Sequence, residues 1–287
     1  MTDNLHERVA AKLGHPFHGR RKTDVQLARA ALEGHLGWRR ATKIFVTPSD
    51  HGSLTEGLKE KRIPVSRTGV ARLWTILAEL RQRQRRWRLL RAMQVDQGNT
   101  PWCVDATRCH WQLSLPVYGR LTHPIGNLYA ECKKIDPWPG QDGTSAEFML
   151  TVCQQMGLVE SAWWWYGQQD NDALIRWLVE VGGIWFGAMW PEDAFRTRIT
   201  DQTTFATDGL IDVSAEAQWL YGHEVFLIGR HRNYQGMGPC LEGVQSWGQD
   251  NYGVRGRFWI REQEFFDRWM NPDLGWGDAV GVVEKSA

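Results

Sequence analysis

From residue 184 onward the chain breaks into short apolar runs, "IWFGAMW", "HEVFLIGRH", "LEGVQSWG", "RGRFWIR" and "DAVGVVEK", separated by glycine-containing turns. Runs of this length, rich in aromatic and branched residues, predict strands. Ahead of them the pattern is helical. "CVDATRCHWQL" follows the turn-forming "GNTP" and predicts a helix over 103–113 with Cys103 in its first turn. "DGTSAEFMLTVCQQMGL" predicts a second, with Thr144 as N-cap, Glu147 completing a capping box and Gly157 as the stop. "NDALIRWLVEVGG" predicts a third. Helices first and strands later imply an α+β domain with a cleft between two halves.

Charge divides the chain near residue 92. Up to Arg91 there are 20 Lys+Arg and 8 Asp+Glu; the remainder holds 14 and 25, so a net charge of +1 conceals a basic part and an acidic part. Residues 1–66 read as a basic N-terminal region. Residues 67–92 read as an amphipathic helix, with Val70, Leu73, Trp74, Leu77 and Leu80 on one stripe and an arginine-rich end, leading into a domain over 93–287. The run "RQRQRRWR" is read as a solvated face or a contact with the acidic domain, and nucleic acid as the lesser reading. No run approaches eighteen apolar residues and the start has no apolar signal-peptide core, so neither a membrane partner nor export is expected. Five cysteines without a CxxC pair argue against a disulfide scaffold or a zinc ribbon, and the adjacent Cys109 and His110 point in different directions on a helix, so no metal is expected.

A free thiol remains, and its setting suggests a use. A cysteine at a helix N-terminus meets the positive end of the dipole, which favours the attacking thiolate. Its base would be His223, in "LYGHEVFLIGR", with Gln245 of "GVQSWG" accepting a hydrogen bond from the other ring nitrogen and Trp247 shielding that bond. Gln97 would offer its side-chain amide to the developing oxyanion beside the Cys103 N–H, a contribution worth about 3–4 kcal/mol. Alone, Cys103 is as well explained as a small buried core residue; the ordered set with Gln97, His223 and "SWG" favours chemistry. Three tryptophans in "SAWWWYG" are read as core and rim rather than as a substrate platform.

At these residues the chain resembles the papain-like cysteine peptidases. "DQGNTPWC" has the spacing of that family's "DQGxxxxC" signature, "GHEVFLIG" is similar to its "GHAVxxVGY" strand, and "VQSWGQDNYGVRGRFWI" to its "NSWGxxWGxxGYFWI" segment. Cysteine, histidine and amide follow in that order, 120 and then 22 residues apart. The likeness extends over about residues 87 to 283. It is nearest to papain-like proteins of tailed phages of actinobacteria, whose "WPGEDxxGTS" and "RxWR…LDQGNTPxCV" stretches this chain approaches.

The resemblance implies a two-lobed papain-like fold behind the basic, mainly helical N-terminal region. Cys103, His223, Gln245 and Gln97 would carry catalysis; Gly143, Thr144 and Trp247 would line the substrate cleft. It implies a peptide or protein substrate, no cofactor, a phage virion or host cytoplasm as the setting, and other virion proteins as partners. Many papain-like enzymes carry a removable helical pro-segment, but here the charge division and the direct run of the last helix into Gln97 predict that residues 1 to about 90 stay attached and dock on such a partner. Two alternatives stay open: a catalytically silent module with a structural or adhesion role, and a cell-wall cross-bridge endopeptidase. The chain departs from the family pattern at Gln245, where the family has asparagine, and at Glu224, where it has a small apolar residue; strand alternation should turn Glu224 to the face opposite His223.

Overall fold

A computed structural model of the chain describes residues 95–114, 121, 123–166, 171–196, 209–248 and 252–284, with the two-residue backbone strand at Arg39–Arg40. The expectations for the N-terminal region and the 67–92 helix otherwise lie outside the described residues. Helices α1 (Cys103–Leu113), α2 (Asn127–Ile135) and α3 (Ala146–Gln155) come first. The first of these begins and ends where the sequence predicts it. The second predicted helix starts later than expected. Ser145, in extended backbone, is the N-cap of α3 and makes no side-chain cap bond. Thr144 and Glu147 are thereby released from a capping box and belong to the cleft described below.

The strands are β1 (Arg39–Arg40), β2 (Val159–Tyr166), β3 (Ile184–Pro191), β4 (Leu210–Ile211), β5 (Trp219–His231), β6 (Cys240–Val244), β7 (Arg257–Arg261) and β8 (Asp278–Glu284). Short helices α4 (Asn171–Arg176), α5 (Glu192–Arg196) and α6 (Glu262–Glu264) intervene, and α4 and α6 each run on into a π-helical turn, Trp177–Val181 and Phe265–Trp269. The third predicted helix is therefore two pieces. Its Trp177 packs where a Cβ on Gly281 of β8 would stand, so the wider turn accompanies a bulky ring seated against bare backbone. Among the described residues the strands form one sheet in the order β1-β2-β8-β3-β5-β6-β7-β4, antiparallel except for β1 with β2 and β4 with β7.

Strand alternation assigns the apolar side chains to two cores on opposite faces of this sheet. Phe186, Ala188 and Trp190 of β3, Val225 and Leu227 of β5 and Ala279 of β8 join one core with Trp177, Phe265 and Trp269. Trp185, Phe226, Ile228, Val280 and Val282 alternate with them and join the other, where α1 and α3 bring Cys103, Val104, Trp111, Met149 and Val152. A buried Phe or Leu contributes about 1.5–3 kcal/mol, so these two cores dominate the stability of the fold. The tryptophans of β2 follow the core reading, with Trp164 in one core, Trp165 in the other and Trp163 packed partly buried against the rim. No helix among the described residues is long and apolar enough to cross a membrane.

Buried polar links fix the helices to their loops. Arg108 of α1, fully buried, pairs with Asp105 at 2.5 Å and donates to the carbonyl of His123 at 2.9 Å, while Asp105 accepts the Gly126 N–H at 2.7 Å. Lys133 of α2 reaches the carboxylate of Asp136 and the carbonyls of Trp138, Gln141 and Gly143 at 2.7–3.0 Å. One ammonium thus organises the loop that delivers Thr144 to α3.

Candidate active site

Cys103 opens α1 and is 1% exposed. The helix packs on the sheet face carried by Trp185, Phe226 and Val280, which sets the thiol against β5. From Tyr221 to Val225 β5 pairs with β3, and its pairing with β6 starts only at Phe226. The cleft lies along this stretch. A cavity there is lined by Cys103 and Val104 of α1, by Thr144 to Glu147, by Gly187 to Met189 of β3, by Gly222 to Glu224 of β5, and by Trp276 and Asp278.

His223 is 2% exposed and held from several sides. Its ring stacks on Trp247 with centroids 4.9 Å apart, and Trp190 meets it edge-on at 5.1 Å. Its Nε2 lies 2.6 Å from Oε1 of Gln245, which can only accept, so Nε2 carries the proton. Nδ1 is buried and has no hydrogen-bond partner. The imidazole is therefore a base with its lone pair on Nδ1, and His223 and Cys103 are both among the residues that line the cavity.

Gln97 is not among the residues that line the cavity. Its backbone N–H donates to Ser246 O at 2.8 Å, its Oε1 accepts from the Ser246 hydroxyl in a short bond, and its Nε2 donates to Thr100 O at 2.6 Å. Asp96 forms a bridge with Trp247. The segment before Cys103 is thus stitched to the two residues that follow Gln245. Gly143, in the left-handed region at φ 78°, gives its N–H to the Tyr129 hydroxyl and its carbonyl to Lys133, while Thr144 lines the cavity. Trp247 is 1% exposed and lies behind the imidazole rather than along the cavity.

The electrostatics differ from the expectation of a dipole-stabilised thiolate. Burial pushes the Cys103 thiol up to about 12; the N–H of Glu224 opposes the rise and the Glu224 charge adds to it. Burial likewise lowers His223 to about 3, against the raising effect of its bond to Gln245. A helix terminus supplies at most about 2 kcal/mol, less than three pKa units require, so burial wins and the resting pair is neutral.

Glu224 emerges on the face opposite His223, as alternation requires. That face is the one α1 covers, so Glu224 lines the cavity together with Cys103, a neighbour that strand alternation alone does not reveal. Asp278, Glu147 and Gly187 were also missed; a charged residue opening the apolar run "DAVGVVEK" was the available signal for Asp278.

No family model and no curated protein matches this chain. Among solved structures it is similar to procathepsin B S9 from Trypanosoma congolense, at 11% identity over 67% of this chain and 72% of that one, with a TM-score of 0.49. It is also similar to xylellain, a cysteine protease from Xylella fastidiosa, at 15% identity, 67% and 82% coverage and a TM-score of 0.39. A third likeness is to digestive procathepsin L2 from Tenebrio molitor larval midgut, at 14% identity, 66% and 63% coverage and a TM-score of 0.43.

Proposed function

We propose that the chain is a papain-like cysteine peptidase that cuts peptide bonds through Cys103. The observation that carries this reading is the shared cavity of Cys103 and His223, with Nε2 bound to Gln245 and Nδ1 left without a partner. The Cys103 sulfur attacks the substrate carbonyl carbon as its proton passes to Nδ1 of His223. The oxyanion formed is held by the Cys103 N–H, and by the Gln97 amide once its Nε2, which donates to Thr100 O outside the cavity lining, turns towards the substrate. When the C–N bond breaks, His223 returns the proton to the leaving amine, and a thioester remains on Cys103. Water, deprotonated by His223, then hydrolyses the thioester and releases the acid and the thiol. Gln245 keeps the ring in the tautomer this cycle needs.

The setting we assign is a phage particle, on the likeness of "WPGQDGTS" and "VDQGNTPWCV" to phage-encoded relatives, with residues 1 to about 90 docking on other virion proteins. One observation favours the silent module as the second reading: burial holds both members of the pair neutral. Incubation of the full-length protein with a mixed peptide library under reducing conditions, against Cys103→Ala, separates the two. Cleavage present in the parent and absent in the variant is expected. Identical product patterns from both, or none from either, would leave the silent module standing.

A further inference from the structure

The cavity beside Cys103 is walled by acids. Strand register sets Glu224 of β5, Gly187 of β3 and Asp278 of β8 in one row across three neighbouring strands, on the face that α1 covers. Gly187 makes the row possible. A methyl group there would strike Glu224 Oε2 and stand 2.8 Å from Asp278 Oδ1, so the two carboxylates lean over bare backbone from opposite sides. Glu147, from the first turn of α3, is the third acid. Glu224, Asp278 and Glu147 are 6%, 4% and 2% exposed and all line the cavity, whereas no lysine or arginine among the described residues does. A second observation points the same way. Thr144, 1% exposed, is among the residues that line this cavity, and its hydroxyl has no hydrogen-bond partner, a state that buried polar groups rarely keep.

We propose that this row receives a protonated primary amine of the substrate, such as a lysine side chain, close to the bond that Cys103 attacks; the inference rests on the peptidase reading. Size and donor count select the ammonium. The free space is about 20 Å³, room for one water-sized group. An ammonium is that size and carries three donors, which carboxylate oxygens and the Thr144 oxygen can accept. A metal ion fits less well, because no three His, Cys, Asp or Glu among the described residues are arranged to hold one. The seat also bears on the chemistry. The Glu224 charge is one of the influences that hold the Cys103 thiol protonated, and a cation placed against Glu224 offsets it. A substrate with the right side chain thus eases ionisation of its own nucleophile, binding energy directed to the reacting step.

The test uses full-length Cys103→Ala, which reads binding whether or not hydrolysis occurs. Blocked alanine-rich pentapeptides carrying lysine, norleucine, Nε-acetyllysine or glutamate at each inner position in turn are titrated by calorimetry. The lysine peptide should bind at least about tenfold more tightly than norleucine or acetyllysine at one position, with glutamate weakest. Adding Glu224→Gln and Asp278→Asn should bring lysine level with norleucine. Lysine no tighter than norleucine at every position would overturn the proposal, as would a lysine preference that survives both substitutions. The acetyllysine comparison alters only the ligand and stands even where the substituted chain fails to fold. A lysine preference without any peptide cleavage by the parent protein would sink the peptidase reading and spare the cation seat; cleavage without the preference would do the reverse.

Discussion

Gln245 Oε1 meets His223 Nε2 at 2.6 Å, across 22 residues of sequence and from a side chain one methylene longer than the resembled family's asparagine. Its reach is supported at both ends. The same oxygen accepts the Ser246 N–H at 3.0 Å, and the Gln245 N–H donates to Gly256 O at 2.8 Å. The longer amide therefore fits this backbone.

From this fit we expect Gln245→Asn to weaken the proposed peptidase activity. Shortening the side chain by about 1.5 Å would carry the carbonyl beyond hydrogen-bond range of Nε2. A loss of about 10- to 100-fold in kcat, with KM little changed, should appear in peptide hydrolysis, and Gln245→Ala should lose at least as much. Activity equal to the parent in Gln245→Asn would show that the backbone moves to follow the shorter side chain.

The neutral resting pair has its own signature in pH. With the Cys103 thiol near 12, its thiolate fraction grows about tenfold for each pH unit below that value, and His223, near 3, does not titrate in the same range. The logarithm of the Cys103 alkylation rate by iodoacetamide, followed by peptide mass spectrometry, should rise with a slope near one from about pH 7 to 9.5. A plateau starting near pH 6 would instead reveal a thiolate–imidazolium pair.

Helix α1 was legible because "GNTP" cannot continue a helix and "CVDATRCHWQL" can, so its bounds needed no tertiary information. The strands after residue 184 were legible for a similar local reason, glycine at each end of an aromatic run. What packs on a strand's two faces is a different matter. Period-two alternation says that His223 and Glu224 diverge, yet only the arrival of α1 from 120 residues upstream decides that the Glu224 face is the thiol's face. The row of Glu224, Gly187 and Asp278 depends on β3 lying between β5 and β8, an order set by long-range pairing. Ser145 displacing Thr144 as N-cap turns on a single residue, below what capping preferences resolve when Ser and Thr are adjacent.

His110 supplies an acid-stability prediction. Fully enclosed on α1, it is lowered by burial to about 4 from 6.5. The unfolded chain takes up its proton below 6.5 and the folded chain only near 4, so the stability present above pH 6.5 is lost as pH falls through that window. The difference amounts to on the order of 3 kcal/mol. Urea midpoints of His110→Gln and parent should therefore converge or cross between pH 7 and 4, with the variant gaining relative to the parent. A constant gap over the whole range would mean that His110 takes up its proton at the same pH in the folded and the unfolded chain.

Ser246 joins the two halves of the proposed site, since its hydroxyl donates to Gln97 Oε1 and its carbonyl accepts the Gln97 N–H while its neighbour Gln245 orients His223. Ser246→Ala removes only the hydroxyl. It leaves the buried Gln97 carbonyl oxygen without that donor, at a stability cost of about 1–3 kcal/mol. The Gln97 amide is then freer to rotate, and an oxyanion donor that wanders loses its advantage only when charge develops on the substrate oxygen. Ser246→Ala should accordingly lower kcat with KM nearly unchanged, by less than the 10²–10³-fold typical of deleting such a donor outright. Gln97→Ala should show the full loss and Gln97→Glu a larger one, because a carboxylate would repel the oxyanion. Single-turnover kinetics on an activated ester and on the matching amide provide the measurement. A Ser246→Ala variant that raises KM without touching kcat would place Gln97 in substrate binding and remove it from the proposed oxyanion site.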